Sequence, residues 1–331
     1  MNESEAIRRL WHVSDLVSPM AVRIAATLRL PDLVAGGATT TAALAERTGS
    51  DPGALRRLLR HLVAIDVLVQ RGEHFALTPL SEAMREGQGE NRGPLTLDVH
   101  SAVGRIQLAA VGLLDCLRTG VPAYQLVHGR GFWDDLAADP ARGAGFDAFM
   151  GARDQSAFAA AYDWGTVRHV VDVGGGTGAR LIALLRAHPS LRGTLVELPG
   201  PAERALSRFA EAGLSERVVV VARSFFEPLP TGADIYVLSG ILHDWPDSEA
   251  TAILRRCGEA TGPSGRVLVV EQVLDDADDM AEMTAFDLFM LIACSGRERT
   301  LDEFRALGGT AGLSLRSVLE GPMLEFGKLP G

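Results

Sequence analysis

The chain has 331 residues, 47% of them hydrophobic, and carries a formal net charge of −10 with an isoelectric point of about 5.3. That length and apolar content allow true hydrophobic cores in one large or two ordinary domains. The acidity excludes a general affinity for phosphate backbones or anionic lipid, so neither nucleic acid nor membrane is expected as a partner.

The first ten residues mix Glu3, Glu5, Arg8 and Arg9 without an apolar segment, and no apolar stretch spans a bilayer, so the expected location is cytoplasmic. Helix is predicted over Ala21–Leu30, a break over Pro31–Ala38, and a second helix over Thr41–Thr48. Asp51 caps a third helix with Pro52 in its first turn, where a missing N–H costs nothing. Over Gly53–Ile65 this helix carries Leu55, Leu58, Leu59, Leu62 and Ile65 at helical spacing, with Arg56, Arg57 and Arg60 on the other side. Val67–Arg71 and His74–Leu77 then read as a two-stranded wing joined through Gly72-Glu73. The outline is that of a winged helix-turn-helix. Glu46, Asp51, Glu73, Glu82 and Glu86 surround its three arginines, which favours a helical scaffold over a DNA-reading module.

From Leu95 to about Trp164 the chain reads as helical, with breaks at Gly120-Val121-Pro122 and Asp139-Pro140, and is rich in Tyr124, Phe132, Trp133, Phe146, Phe149 and Met150. Beyond Arg168 strands and helices alternate. Strands are predicted over His169–Val173, Gly193–Glu197, Arg217–Ala222, Ala233–Ser239 and Arg266–Val273, the pattern of βαβ units in a mainly parallel sheet. The last two, Ser314–Leu319 and Met323–Lys328, are separated by three residues, too few for a crossover, and must pair as an antiparallel hairpin at the sheet edge. Cys116, Cys257 and Cys294 are an odd number at unrelated spacings, which suits a reducing compartment and small buried side chains.

Two segments carry the chemistry. Val171–Gly178 runs from an apolar strand into Gly174, Gly176 and Gly178, a turn where a nucleotide-like cofactor can lie against bare backbone. With Ala179 the same stretch also satisfies the looser G-x-G-x-x-A of dinucleotide enzymes, and Glu197, closing the second strand, suits the ribose of either cofactor. Asp172 before the first glycine, the edge hairpin and Leu242–Asp247 do not belong to a dehydrogenase. Leu242-His243-Asp244-Trp245-Pro246-Asp247 sets a histidine and two carboxylates at the carboxyl edge of the same sheet, where open α/β sheets bind ligands.

Taken together, these motifs resemble the S-adenosylmethionine-dependent O-methyltransferases of the caffeic-acid and hydroxyindole type, and within them the bacterial branch that decorates aromatic polyketides and other antibiotics. The resemblance runs over nearly the whole chain: Leu28-Arg29-Leu30 and the wing, Ala161-Tyr162-Asp163-Trp164, Val196-Glu197-Leu198-Pro199, Leu242–Asp247 and Gly296-Arg297-Glu298-Arg299-Thr300. It implies a class I, Rossmann-like α/β fold, a doubly wound, mainly parallel seven-stranded sheet with an antiparallel edge hairpin. A winged-helix-like dimerisation domain over residues 1–94, a helical connector over 95–164 and a catalytic domain over 165–331 complete the expected organisation. A homodimer whose partner helps close the pocket is implied as well.

The cofactor so implied is S-adenosyl-L-methionine, leaving as S-adenosyl-L-homocysteine, bound by Asp172, Gly174, Gly176, Glu197, Ser224, Phe225 and Ser239. Ser224 departs from the family's usual aspartate and can offer adenine only an uncharged hydrogen bond. The resemblance makes His243 the base that takes the acceptor's proton, with Glu271 and Glu298 orienting its imidazole. Met150, Asp244, Phe286, Phe289 and Met290 are expected to line a pocket for a small aromatic substrate, a phenolic secondary metabolite. No His/Cys cluster has metal spacing, so no metal is expected. The alternatives are a family member that binds the cofactor but performs hydroxylation, decarboxylation or cyclisation, transfer to nitrogen or carbon, and a ligand-responsive DNA-binding regulator.

Overall fold

The computed structural model describes residues 2–86, 96–152, 155–274, 280–319, 321 and 323–329. The chain forms two compact units, Met1–Leu108 and Ala109–Gly331. Instead of a separate connector over 95–164, the described residues up to Leu108 belong with the first unit and those after it with the second.

In the first unit, helices Glu3–Val13 (α1), Val17–Thr27 (α2), Leu30–Ala35 (α3), Thr41–Thr48 (α4) and Pro52–Ala64 (α5) precede a hairpin of Leu68–Arg71 (β1) and His74–Leu77 (β2). α2 begins four residues earlier than predicted because Pro19 lies in its first turn, where no intrahelical N–H is missed. The expected break at Pro31 is instead the short α3, with the proline at its second position. Leu55, Leu59 and Leu62 of α5 are buried against Leu30, Leu44 and Phe75. Arg56, Arg57 and Arg60 face solvent. α1 has no buried residue.

The second unit holds a seven-stranded sheet in the order β5-β4-β3-β6-β7-β9-β8. Its strands are His169–Val173 (β3), Arg192–Glu197 (β4), Val218–Ala222 (β5), Ile235–Ser239 (β6), Arg266–Val270 (β7), Leu313–Leu319 (β8) and Met323–Lys328 (β9). The first five run parallel, while β9 is antiparallel to both β7 and β8. Strands buried on both faces must be apolar at successive positions, and β6 meets this with Ile235 and Val237 packed in one layer and Tyr236 and Leu238 in the other. β3 lies between β4 and β6, where the order of connection reverses. The crevice at the carboxyl ends of β3, β4 and β6 is therefore the natural ligand position.

Candidate active site

The chain leaves β3 through Gly174, which has φ +72° and whose position for a Cβ lies 2.6 Å from Ile241 Cδ1. Any other residue is both strained and obstructed there. This contact joins the glycine turn to the segment that carries His243. The Gly174 N–H donates to Val196 O at 2.8 Å, and Glu197 accepts from Gly176 N–H at 2.8 Å and from Leu198 N–H at 2.7 Å. Burial pushes the Glu197 carboxyl above its usual range. Each of its oxygens keeps a second lone pair.

Above Gly176 no heavy atom lies within 4 Å of where a side chain would start, and the Phe225 ring borders the turn at Gly174. Open space over bare backbone, an aromatic wall and a carboxylate with spare acceptor capacity fit a nucleoside-bearing cofactor. Ser224 turns its hydroxyl to its own loop, accepting the Phe226 N–H at 3.2 Å, and Ser239 ends the neighbouring β6.

Asp172 differs from expectation. It lies beneath the turn and is only 2% exposed, with Oδ2 unpaired and 2.3 Å from where a Gly175 Cβ would stand. Burial raises its pKa to about 6. The structure gives it a supporting place under the loop in place of a position in the crevice.

Past β6, Leu242–Asp244 form one 3-10 turn. His243 Nδ1 lies 2.8 Å from Glu298 Oε1. An ionised carboxylate only accepts, so Nδ1 carries the proton and Nε2 is left as the basic atom. Nε2 lies 3.6 Å from Asp244 Oδ1, and the imidazole centroid is 5.8 Å from the Phe286 ring. Burial by itself pulls the imidazole pKa down, but Glu271, Glu298 and Asp244 outweigh it and hold it at about 9. Asp244 is itself pushed up by burial, to about 7.

Glu271, expected on the ring, is instead taken up by backbone. It accepts the N–H groups of Ile241 at 2.8 Å, Leu242 at 2.6 Å and His243 at 3.1 Å. The reason is that β7 ends at Val270, so Glu271 emerges directly beneath the turn after β6. It fixes the turn, while Glu298 fixes the ring.

Phe286 and Phe289 stack at 5.7 Å and 12° on the helix Met280–Cys294, which also buries Met290. Asp287 of the same helix accepts the Glu298 N–H at 2.8 Å, a tie that sequence reasoning missed although Asp287 shares a helix face with Met283 and Met290. Met150 lies near the end of the helix Pro140–Gly151, whose last residue approaches Thr177 of the glycine turn. Burial holds the Cys294 thiol well above its ordinary range. Among the described residues no group of His, Cys, Asp and Glu is arranged to hold a metal ion, and no helix is long and apolar enough to cross a membrane.

A mainly parallel seven-stranded sheet with a reversed last strand, a glycine turn after its first strand, an acid closing its second and a histidine past its fourth define a class I methyltransferase. The O-methyltransferase domain matches residues 111–314 and the O-methyltransferase dimerisation domain residues 11–86, so the chain belongs to the S-adenosylmethionine-dependent O-methyltransferase family. It is 48% identical over 310 residues to the 2,7-dihydroxy-5-methyl-1-naphthoate 7-O-methyltransferase of Streptomyces carzinostaticus, covering 92% of each chain. It is also 48% identical over 316 residues to the aclacinomycin 10-hydroxylase RdmB of Streptomyces purpurascens, covering 93% of this chain and 84% of that one. Among solved structures it is similar to the O-methyltransferase NcsB1 from neocarzinostatin biosynthesis, in complex with S-adenosylmethionine and 2-hydroxy-5-methyl naphthoic acid. The TM-score is 0.92 at 45% identity, over 97% of this chain and 98% of that one.

Proposed function

We propose that this enzyme transfers a methyl group from S-adenosylmethionine to a phenolic hydroxyl of a fused-ring aromatic metabolite such as a hydroxylated naphthoate, with His243 as general base. The observation that carries this reading is the His243–Glu298 pair, which leaves Nε2 as the basic atom, 3.6 Å from Asp244 Oδ1 beside the Phe286 wall, in the crevice that also contains the glycine turn. Gly174, Gly176 and Glu197 would hold the methionine and ribose parts of the cofactor, and Ser224, Phe225 and Ser239 the adenine. When bound, the sulfonium supplies the methyl group in an in-line displacement. The chain's own tasks are to align the acceptor and remove its proton, of which alignment alone can supply roughly 7–11 kcal/mol. Phe286, Phe289, Met290 and Met150 suit a flat apolar acceptor, and Asp244 a second polar group on it.

Incubation with methyl-labelled S-adenosylmethionine and a panel of hydroxylated naphthoates and larger polyketide phenols tests the proposal. Label is expected on oxygen. A second reading, cofactor-dependent hydroxylation without methyl transfer, is favoured by the equal identity to RdmB. Tight cofactor binding with a hydroxylated, unlabelled product would establish that reading instead.

We also propose that the protein works as a homodimer in the cytoplasm, the three free cysteines fitting a reducing compartment. α1 and the residues after it leave Leu10, Trp11, Val13, Leu16 and Val17 exposed, Trp11 at 73% and Leu16 at 77%. Five large apolar side chains exposed within eight residues suit an interface, and the dimerisation-domain match begins at residue 11. Trp11→Glu is expected to shift the protein to monomer in light scattering at micromolar concentration, with the circular dichroism of the folded chain retained.

A further inference from the structure

We propose that Arg299 is a positioning residue for His243, the cationic counterpart of Glu271 on the same turn; the inference rests on His243 being the base. Glu271 binds the N–H groups of Ile241, Leu242 and His243. Arg299 binds the carbonyl groups of that segment, donating from Nη1 to Leu242 O at 2.8 Å and from Nη2 to Trp245 O at 2.7 Å. Its Nε and Nη2 also donate to Asp247 Oδ1, at 3.0 and 2.9 Å. The carbonyl between, that of His243, accepts the Arg297 N–H at 2.9 Å. Gly296 packs so closely on that carbonyl that a Cβ would stand 2.0 Å from its oxygen. The stretch that presents Glu298 to the ring therefore also grips the backbone on both sides of the ring.

Arg299 is fully buried, whereas the Asp247 side chain is 57% exposed. A guanidinium cannot shed its proton, so burying it is tolerable only with its donors bonded. Here two of the bonds go to main-chain oxygens flanking His243, and only a planar fork reaches both and the carboxylate together. A lysine has one point of charge and cannot hold all three. Without the fork, the turn is held by Glu271 from one side, and Nε2 loses its fixed distance from the acceptor oxygen. Displacements of about 1 Å at a reacting group can cost on the order of 100-fold in rate.

Three full-length variants, Arg299→Lys, Asp247→Asn and Arg305→Gln, test this by single-turnover methyl transfer, cofactor and acceptor affinity, and NMR titration of the His243 ring. Arg299→Lys is expected to slow the single-turnover rate at least tenfold, with cofactor affinity within twofold of wild type. Its ring titration should move down from near 9 as the contact with Glu298 loosens. Asp247→Asn, which keeps the carbonyl bonds, should slow transfer about two- to threefold. Arg305→Gln, altering a half-exposed side chain that pairs with Asp302 on its own helix, should leave the rate and titration unchanged. A wild-type rate and ring titration in Arg299→Lys overturn the proposal. If that variant does not fold, the same two wild-type readings in Asp247→Asn overturn it. Full activity in His243→Ala would instead refute His243 as base, and the ring titration of Arg299→Lys would still report whether the arginine positions it.

Discussion

His243→Ala is expected to lower the rate of methyl transfer at pH 7 by about 10²–10⁴-fold, the range over which a positioned general base contributes, while S-adenosylmethionine binding stays within a few-fold of wild type. The cofactor contacts proposed for Gly174, Gly176 and Glu197 do not involve the imidazole, so binding and chemistry should separate in this variant. The pH dependence gives a second readout. With its pKa held at about 9 by the three carboxylates, His243 is mostly imidazolium at neutral pH and becomes a competent base as pH rises. Wild-type kcat/KM, which reports the free enzyme, should therefore climb from pH 7 and level near 9. The stability that the raised pKa lends the fold runs the other way. It is present in full below the unfolded value of 6.5 and is lost as pH passes through about 9. In the alanine variant the plateau should disappear. Residual transfer should then follow ionisation of the acceptor itself, rising until the phenol's own pKa near 10. A His243→Ala enzyme with the wild-type plateau would remove the histidine from the mechanism.

Much of the architecture was legible because it follows from local patterns. Gly174, Gly176 and Gly178 announced a turn at the end of a strand, and the three-residue gap between the last two strands allowed no connection other than a hairpin. Both are statements about chain geometry over fewer than ten residues. What the sequence did not reveal depends on which chain ends meet. Asp172 reads as a crevice residue because it precedes the glycines, but strand alternation turns it under the loop, where it is 2% exposed. Arg299 looks like one more charge in a charged motif. Its complete burial arises only because the stretch after the helix Met280–Cys294 folds back over the turn after β6, a contact across more than fifty residues. Trp11 and Leu16 were unremarkable in sequence, and only their exposure singles them out.

The same distinction separates the two glutamates that sequence reasoning treated alike. Glu298→Gln should keep the fold, since Oε1 can still accept from Nδ1 and the Oε2 it replaces has no partner. Its effect should fall on the ring: removing a carboxylate from Nδ1 lowers the His243 pKa, moves the kcat/KM plateau to lower pH and slows transfer, because the imidazolium formed during attack loses its counter-charge. Glu271→Ala should act first on stability. It strips acceptors from three N–H groups, those of Ile241 and Leu242 deeply buried. An unsatisfied buried donor costs about 1–3 kcal/mol, so a loss of about 3 kcal/mol or more is expected in urea unfolding, a large share of the total for a domain of ordinary stability. Glu271→Gln cannot repair this, because its amide nitrogen must face one of the same N–H groups. Equal stability losses in Glu271→Ala and Glu298→Gln would mean that both carboxylates serve the ring, and the division of labour read from their hydrogen bonds would fail. Both changes should lower the His243 pKa, since Glu271 also helps hold it up. A Glu271 variant that unfolds at much lower urea than Glu298→Gln, while Glu298→Gln shifts the pH profile at full stability, would establish that one acid builds the turn and the other serves only the base it carries.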